Sequence, residues 1–72
     1  MTRTEIRLDT LSDVNKFVEA MSGVKEKVWL ADDDGNRVSA KSLLGALYSM
    51  EWTHIYCYCE DNITMELFPW II

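Results

Sequence analysis

The stretch VSAKSLLG, residues 38–45, decides the fold, because a strand ends and a helix begins within it. Alternation at its start predicts a short strand over Arg37–Ser39, and apolar residues at helical spacing predict a helix over about Ala40–Met50. Ser39 and Ser42 both carry side chains suited to cap the N-terminus of this second helix. Its apolar stripe comprises Leu43, Leu44, Leu47 and Tyr48.

Outward from this stretch, three more alternating segments predict three more strands. They cover Thr2–Leu8, Lys27–Ala31 and Thr53–Glu60, and apolar side chains recur at every second position, as is typical of half-buried strands. An Asp-Gly pair in the turn at 32–36 predicts a hairpin between the second and third strands. The face expected to be buried carries Ile6, Leu8, Val28, Leu30, Ile55, Cys57 and Cys59. The opposite face carries Trp29, His54, Tyr56 and Tyr58.

Two further helices complete the pattern. A first helix of about three turns follows the first strand, and we expect Ser12 as its N-cap and a left-handed Gly23 at its end. A short last helix, capped by Asp61 or Asn62, should end beside Pro69 after about two turns, because proline removes a backbone donor. The apolar stripe of the first helix comprises Leu11, Val14, Phe17, Val18 and Met21.

The order of elements is therefore β-α-β-β-α-β-α, in a single domain over residues 1–72. This order predicts an α+β fold, an open-faced β-sandwich in which a four-stranded antiparallel sheet carries its helices on one face. The tail at residues 70–72 is apolar and must be buried or paired. It either extends the aromatic face of the sheet or folds back to cover that face.

Composition argues against several classes of function. The chain has 72 residues, and its 7 basic and 12 acidic residues give a net charge of −5, which disfavours nucleic acids and anionic membranes as partners. No apolar run approaches the roughly 20 residues that span a bilayer. The first residues do not match a signal peptide, so we expect a cytoplasmic protein. Cys57 and Cys59 are expected to be core thiols, and His54 lacks metal-binding companions, so neither a metal nor a cofactor is expected.

The stretch at 38–45 resembles the second-helix signature of the HPr family, the histidine-containing phosphocarriers of the bacterial sugar phosphotransferase system. The segment KFVEA, residues 16–20, is similar to the same family at the end of the first helix, and the order of elements agrees. The resemblance implies the HPr-like form of the open-faced sandwich. It also implies protein partners from the phosphotransferase system or from carbon-catabolite regulation.

The resemblance also shows that the residues of a working phosphocarrier are missing. The family carries its phosphoryl group on the histidine of a His-x-Arg-Pro pattern just before the first helix. The matching positions here hold Thr10, Ser12 and Asp13. Asp9 and Asp13 would repel a phosphate, whereas an arginine near a helix N-terminus would stabilise it. We therefore expect a protein without enzymatic activity, and phosphoryl transfer by a phosphocarrier remains an alternative.

The resemblance retains one regulatory feature at the second helix. Ser42, preceded by Lys41, matches the serine at which many HPr proteins of Gram-positive bacteria are regulated, an arrangement similar to the catabolite-repression HPr-like proteins, which lack the histidine. Added charge at this helix N-terminus is electrostatically favourable. The plain alternative is that Ser42 is only a cap. The resemblance also implies partner binding through Lys41 and through a patch formed by Leu43, Leu44 and Leu47. Of these leucines we expect Leu44 or Leu47 to be buried.

The uncovered face of the sheet is a second candidate surface. It carries Trp29, Tyr56 and Tyr58, and an exposed band of aromatic residues usually marks an interface. We expect this face to pair with a second copy of the chain, forming a homodimer with a structural role, or with another protein. The alternative is that the C-terminal tail covers it.

Overall fold

The computed structural model describes residues 1 to 72 and contains four strands and three helices in the expected order. No helix is both long and apolar enough to cross a membrane. The α+β class and the element order are confirmed. The elements are β1 (Thr2–Ile6), α1 (Leu11–Ser22), β2 (Val28–Ala31), β3 (Arg37–Ser39), α2 (Leu43–Ser49), β4 (Ile55–Cys59) and α3 (Thr64–Leu67), followed by a 3-10 turn at Phe68–Trp70.

The strands form one antiparallel sheet in the order β1-β4-β2-β3. The last strand therefore lies between the first strand and the β2–β3 hairpin. Its register places Ile55 beside Ile6 and Cys57 beside Leu30. Because β1 and β3 are the outer strands, each leaves one backbone edge without a neighbouring full strand.

The hairpin turn between β2 and β3 is held by a local network. The carboxylate of Asp32 accepts hydrogen bonds from the backbone N–H groups of Asp34 at 3.0 Å and Asn36 at 2.8 Å. A further bond from the Asn36 side chain holds the pKa of Asp32 below its ordinary value. Gly35 has φ = +88°, which a residue without a Cβ adopts readily. The expected Asp-Gly turn is therefore present.

One hydrophobic core fills the space between the helices and one face of the sheet. All seven sheet residues expected on this face are buried, and α1 adds Val14, Phe17 and Met21. Leu11 belongs to the expected helical stripe but is exposed. It is the first residue of α1, and the buried part of the stripe begins one turn later at Val14. The core comprises Ile6, Leu8, Val14, Phe17, Met21, Val28, Leu30, Ala40, Ala46, Ile55, Cys57, Cys59, Ile63, Leu67 and Trp70.

Both ends of α1 differ from the expectation. Thr10, not Ser12, is the N-cap: its hydroxyl accepts from the N–H of Asp13 at 3.0 Å, and the Asp13 carboxylate accepts from the N–H of Thr10 at 3.2 Å. The Thr10–Asp13 spacing makes this reciprocal pair, whereas Ser12 already lies inside the first turn. Gly23 ends the helix at φ = −83°, so the expected left-handed cap is wrong.

The C-terminal segment packs against the core side of the fold. Ile63, and not the expected Asp61 or Asn62, is the N-cap of α3, although the Asn62 side chain accepts the N–H of Thr64 at 3.0 Å. The helix has only four residues, one turn and not the two expected, before the 3-10 turn that contains Pro69. Trp70 is buried, with its ring edge-on to Phe17 at 5.3 Å. Ile71 forms an antiparallel bridge with Ile6 at the edge of β1. Trp70 is thus buried and Ile71 is paired as expected of the tail, whereas Ile72 is 65% exposed and its N–H donates to the carbonyl of Glu5 at 3.3 Å.

Candidate functional site

Small residues hold α2 close to the sheet. Ala46 and Ser49 are the buried residues of this helix, and the Ser49 hydroxyl donates to the carbonyl of Ala46 at 2.7 Å. A Cβ placed on Gly45 would lie 3.0 Å from the Cβ of Val38 and 3.1 Å from the carbonyl oxygen of Ser39. Separations this short lie below the optimal van der Waals distance, so even a methyl group here would require Val38 and Ser39 to shift. The face of α2 that meets β3 is therefore the glycine and alanine face.

Most of the apolar stripe of α2 consequently points away from the core. Leu43 is 45% exposed, Leu44 is 79% exposed and Tyr48 is 54% exposed, while Leu47 is half-buried against the core. Of the two leucines expected as candidates for burial, Leu47 therefore packs against the core and Leu44 does not. We call Leu43, Leu44, Leu47 and Tyr48 the α2 surface.

Tyr48 is a member of the α2 surface that the matched leucine patch did not include. It follows Leu44 by four positions, and residues four apart lie on the same side of a helix. That spacing was visible in the sequence. It indicates the side shared by Leu44 and Tyr48, but it does not indicate whether that side meets solvent or the core.

Ser42 begins the helix and is exposed. Its hydroxyl accepts the N–H of Gly45 at 3.2 Å, so Ser42, not Ser39, is the N-cap. Ser39, the last residue of β3, instead accepts the N–H of Lys41 at 3.2 Å across the turn before the helix. The helix therefore begins at Leu43, later than the expected Ala40. Capping leaves the Ser42 hydroxyl accessible from solvent.

Lys41 has a structural role next to this serine. Its ammonium group donates to the backbone carbonyl of Val24 at 2.5 Å and ties the turn before α2 to the segment after α1. The side chain is half-buried. Lys41 therefore contributes to the shape around Ser42, while the exposed apolar contacts come from the α2 surface.

The positions that match the phosphocarrier motif are used to cap α1. Thr10 and Asp13 form the reciprocal cap, and the Asp13 carboxylate also accepts the N–H of Asp9 at 3.1 Å. Ser12 is exposed in the first turn. The carboxylate therefore takes up the N–H groups of Asp9 and Thr10 and places a negative charge at the helix start, where it would repel an anion. No imidazole is present among these three positions.

The single histidine lies elsewhere, just before β4. Its Nδ1 is 2.9 Å from a carboxylate oxygen of Glu5, and this hydrogen bond raises the pKa of His54 above its ordinary value. The ring stacks near Tyr56 with a centroid distance of 6.2 Å. His54 is therefore part of the surface beside β1 and does not reach the start of α1 through any hydrogen bond or ion pair.

The uncovered sheet face carries two ordered stacks of rings. Trp29 and Tyr58 are almost parallel, with centroids 5.9 Å apart, and the guanidinium of Arg37 lies 4.7 Å from the Trp29 ring centre. The guanidinium of Arg3 lies 4.5 Å from the ring centre of Tyr56. Trp29, Tyr56 and Tyr58 are consequently half-buried within a single chain. Arginine placed over an aromatic face is stabilised by a cation–π attraction.

The two cysteines lie on the opposite, buried face of the sheet. Burial, with a smaller contribution from Cys59, raises the pKa of the Cys57 thiol to about 12. Both thiols are free and packed in the core. Thiolate is the nucleophilic and metal-binding form, so Cys57 is chemically inert in the folded chain. No group of three or more His, Cys, Asp or Glu side chains is placed to hold a metal ion.

Comparison of the chain with protein-family models, with curated proteins and with solved structures gives no match.

Proposed function

We propose that this chain is a regulatory, protein-binding relative of the HPr phosphocarriers that has lost phosphoryl transfer. In this proposal the α2 surface contacts the partner and Ser42 is the modified residue. The partners are proteins of the phosphotransferase system or of carbon-catabolite regulation. The observation that carries the proposal is the exposure of Leu44 and Tyr48 next to an accessible serine.

The chemistry of the two helix starts supports the same division of roles. The α1 start is closed by a carboxylate and lacks an imidazole, so it offers no nucleophile that forms a phosphoramidate. The α2 start presents a hydroxyl with no acidic residue in the first turn of the helix. A phosphate on Ser42 would add negative charge where the helix dipole favours it.

Incubation with an HPr kinase and ATP tests the modified residue. We expect phosphate on the wild type and on Ser39→Ala, and none on Ser42→Ala. Ser39 is the matched control, because it is also exposed and lies three positions earlier, at the end of β3. Phosphate on Ser42→Ala, or none on the wild type under conditions that label an authentic HPr, contradicts the proposal.

The α2 surface is tested with the same enzyme. We expect Leu44→Asp to reduce the rate of modification about tenfold, since a charge replaces an apolar contact of the complex. Met65→Asp is the control, because Met65 is also highly exposed but lies on α3. Equal rates for both variants would show that the apolar residues of α2 do not contact the kinase.

The phosphocarrier alternative has a direct test of its own. Enzyme I and phosphoenolpyruvate would place an acid-labile phosphoryl group on a true carrier. We expect no such adduct in the intact mass of the protein. An acid-labile adduct would overturn the loss of phosphoryl transfer.

A structural homodimer is the second candidate, and the half-buried rings of the sheet face favour it. If two copies pair through this face, sedimentation velocity will show a dimer for the wild type and a monomer for Tyr56→Lys. A monomer in both samples removes this candidate.

A further inference from the structure

A groove at the far end of the β2–β3 hairpin collects most of the positive charge of the chain. Its cavity volume is about 710 Å³, and it is lined by Lys25, Lys27, Arg37 and Lys41, which are four of the seven basic residues. Glu60 is its only acidic residue. The remainder of the chain holds three basic and eleven acidic residues, so the groove is a cationic island on an anionic protein.

None of these four cations is paired with an acidic side chain. The only ion pairs join Arg7 to Asp9 and His54 to Glu5, and neither lies in the groove. Although the chain has an excess of acidic residues, none of them neutralises these four cations through an ion pair. The positive charge of the groove is therefore available to an external anion. Lys25, Lys27 and Arg37 are exposed, so a ligand reaches them without any rearrangement.

We propose that this groove binds an acidic peptide segment of a partner protein. The Arg37 guanidinium has the planar donor geometry that matches a carboxylate, and the two lysines extend the positive charge along the groove. The inference does not depend on Ser42 or on the α2 surface. The lining of the groove includes Lys41, directly before Ser42, but none of the residues of the α2 surface.

The geometry of Trp29 favours a peptide over a single-stranded nucleic acid. Proteins that bind single strands stack bases on exposed aromatic faces. Here the Trp29 ring already stacks with Tyr58 and carries the Arg37 guanidinium 4.7 Å from its centre, and the side chain is half-buried, so it does not present the open platform that a base needs. A continuous phosphate backbone would also be repelled by the acidic remainder of the chain, whereas a short acidic segment contacts only the groove.

Fluorescence anisotropy with a short fluorescein-labelled oligoglutamate peptide tests the proposal. In about 0.1 M salt, where the Debye length is about 10 Å, we expect saturable binding that weakens about tenfold in Lys27→Glu/Arg37→Glu. The matched control is Arg7→Glu/Lys16→Glu, which changes the net charge by the same amount at exposed positions outside the groove. We expect the control to bind within about twofold of the wild type, because distant exposed charges are screened.

Three results would overturn the proposal: no saturable binding, equal weakening in both double variants, or tighter binding of an oligothymidylate of the same length.

Because Arg37 contacts Trp29, circular dichroism must show that the groove variant is folded. If it is not, Lys25→Gln/Lys27→Gln replaces it, since both lysines are exposed, and unchanged binding of that variant also overturns the proposal. Phosphorylation at Ser42 is measured separately, so failure here leaves the proposed function standing.

Discussion

Replacing Gly45 with alanine should destabilise the protein, although alanine is the better helix former. The added Cβ would lie 3.0 Å from the Cβ of Val38 and 3.1 Å from the carbonyl oxygen of Ser39, closer than the optimal separation of about 3.5–4.0 Å. Both neighbours are fixed to the backbone of β3. Overpacking costs about 1–3 kcal/mol, and alanine returns about 1 kcal/mol of helix propensity, so we expect a net loss of about 1 kcal/mol.

Urea unfolding followed by tryptophan fluorescence measures this difference in free energy of unfolding. Gly23→Ala is the matched control, since Gly23 has φ = −83° and a Cβ there would lie an ordinary 3.5 Å from the carbonyl oxygen of Ala20. We expect the control to be unchanged or stabilised by up to about 1 kcal/mol. If Gly45→Ala is as stable as the wild type while the control behaves as expected, the close approach of α2 to β3 is refuted.

Three further predictions concern the α1 cap, the histidine and the buried thiols. Thr10→Ala should lower the free energy of unfolding by about 1 kcal/mol, measured in urea, because the reciprocal cap is lost, whereas Ser12→Ala should leave it nearly unchanged. The pKa of His54, followed by NMR, should lie above about 6.5 and fall in Glu5→Gln; the stability that this bond provides is complete below the unfolded pKa and is lost as pH rises through the folded one. Cys57 should resist a thiol reagent at pH 8 until urea unfolds the chain, because its pKa is about 12, and rapid modification of the native protein would contradict its burial.

The sheet was predictable because its signal is local. In β4 every second residue faces the core, so the alternation of Ile55, Cys57 and Cys59 with tyrosines indicates both the strand and its buried face. The same reasoning holds for Val28 and Leu30 in β2. Such a pattern depends only on the pleat of the strand and not on what packs against it.

The orientation of α2 was not predictable from apolar spacing. It depends on a contact between residues of two different elements, α2 and β3, which form that contact only in the folded chain. Leu44 and Ala46 are both apolar, and either side of the helix satisfies helical periodicity. The close approach of Gly45 to Val38 selects the small-residue side for burial. The sequence therefore left open whether Leu44 or Leu47 meets the core, and the exposed Tyr48 was not included in the expected partner-binding patch.

The predicted cap of α1 was wrong for a different reason. Thr10 and Ser12 are both good capping residues, so residue type alone does not choose between them. Only the reciprocal partner distinguishes them: Asp13 lies three positions after Thr10. The sequence pattern also did not predict where the tail packs. Trp70 contacts Phe17 of α1, and these residues are far apart in the sequence and meet only in the folded chain.

The pairing of β1 with β4 has a consequence for the ribosome-bound chain. Thr2 pairs with Cys59, 57 positions later, so β1 is synthesised well before the strand that becomes its neighbour. Closing so long a loop costs chain entropy and slows folding relative to a helical bundle of equal size. Until β4 is free to pair, the chain can form the β2–β3 hairpin and helical segments but not the completed sheet.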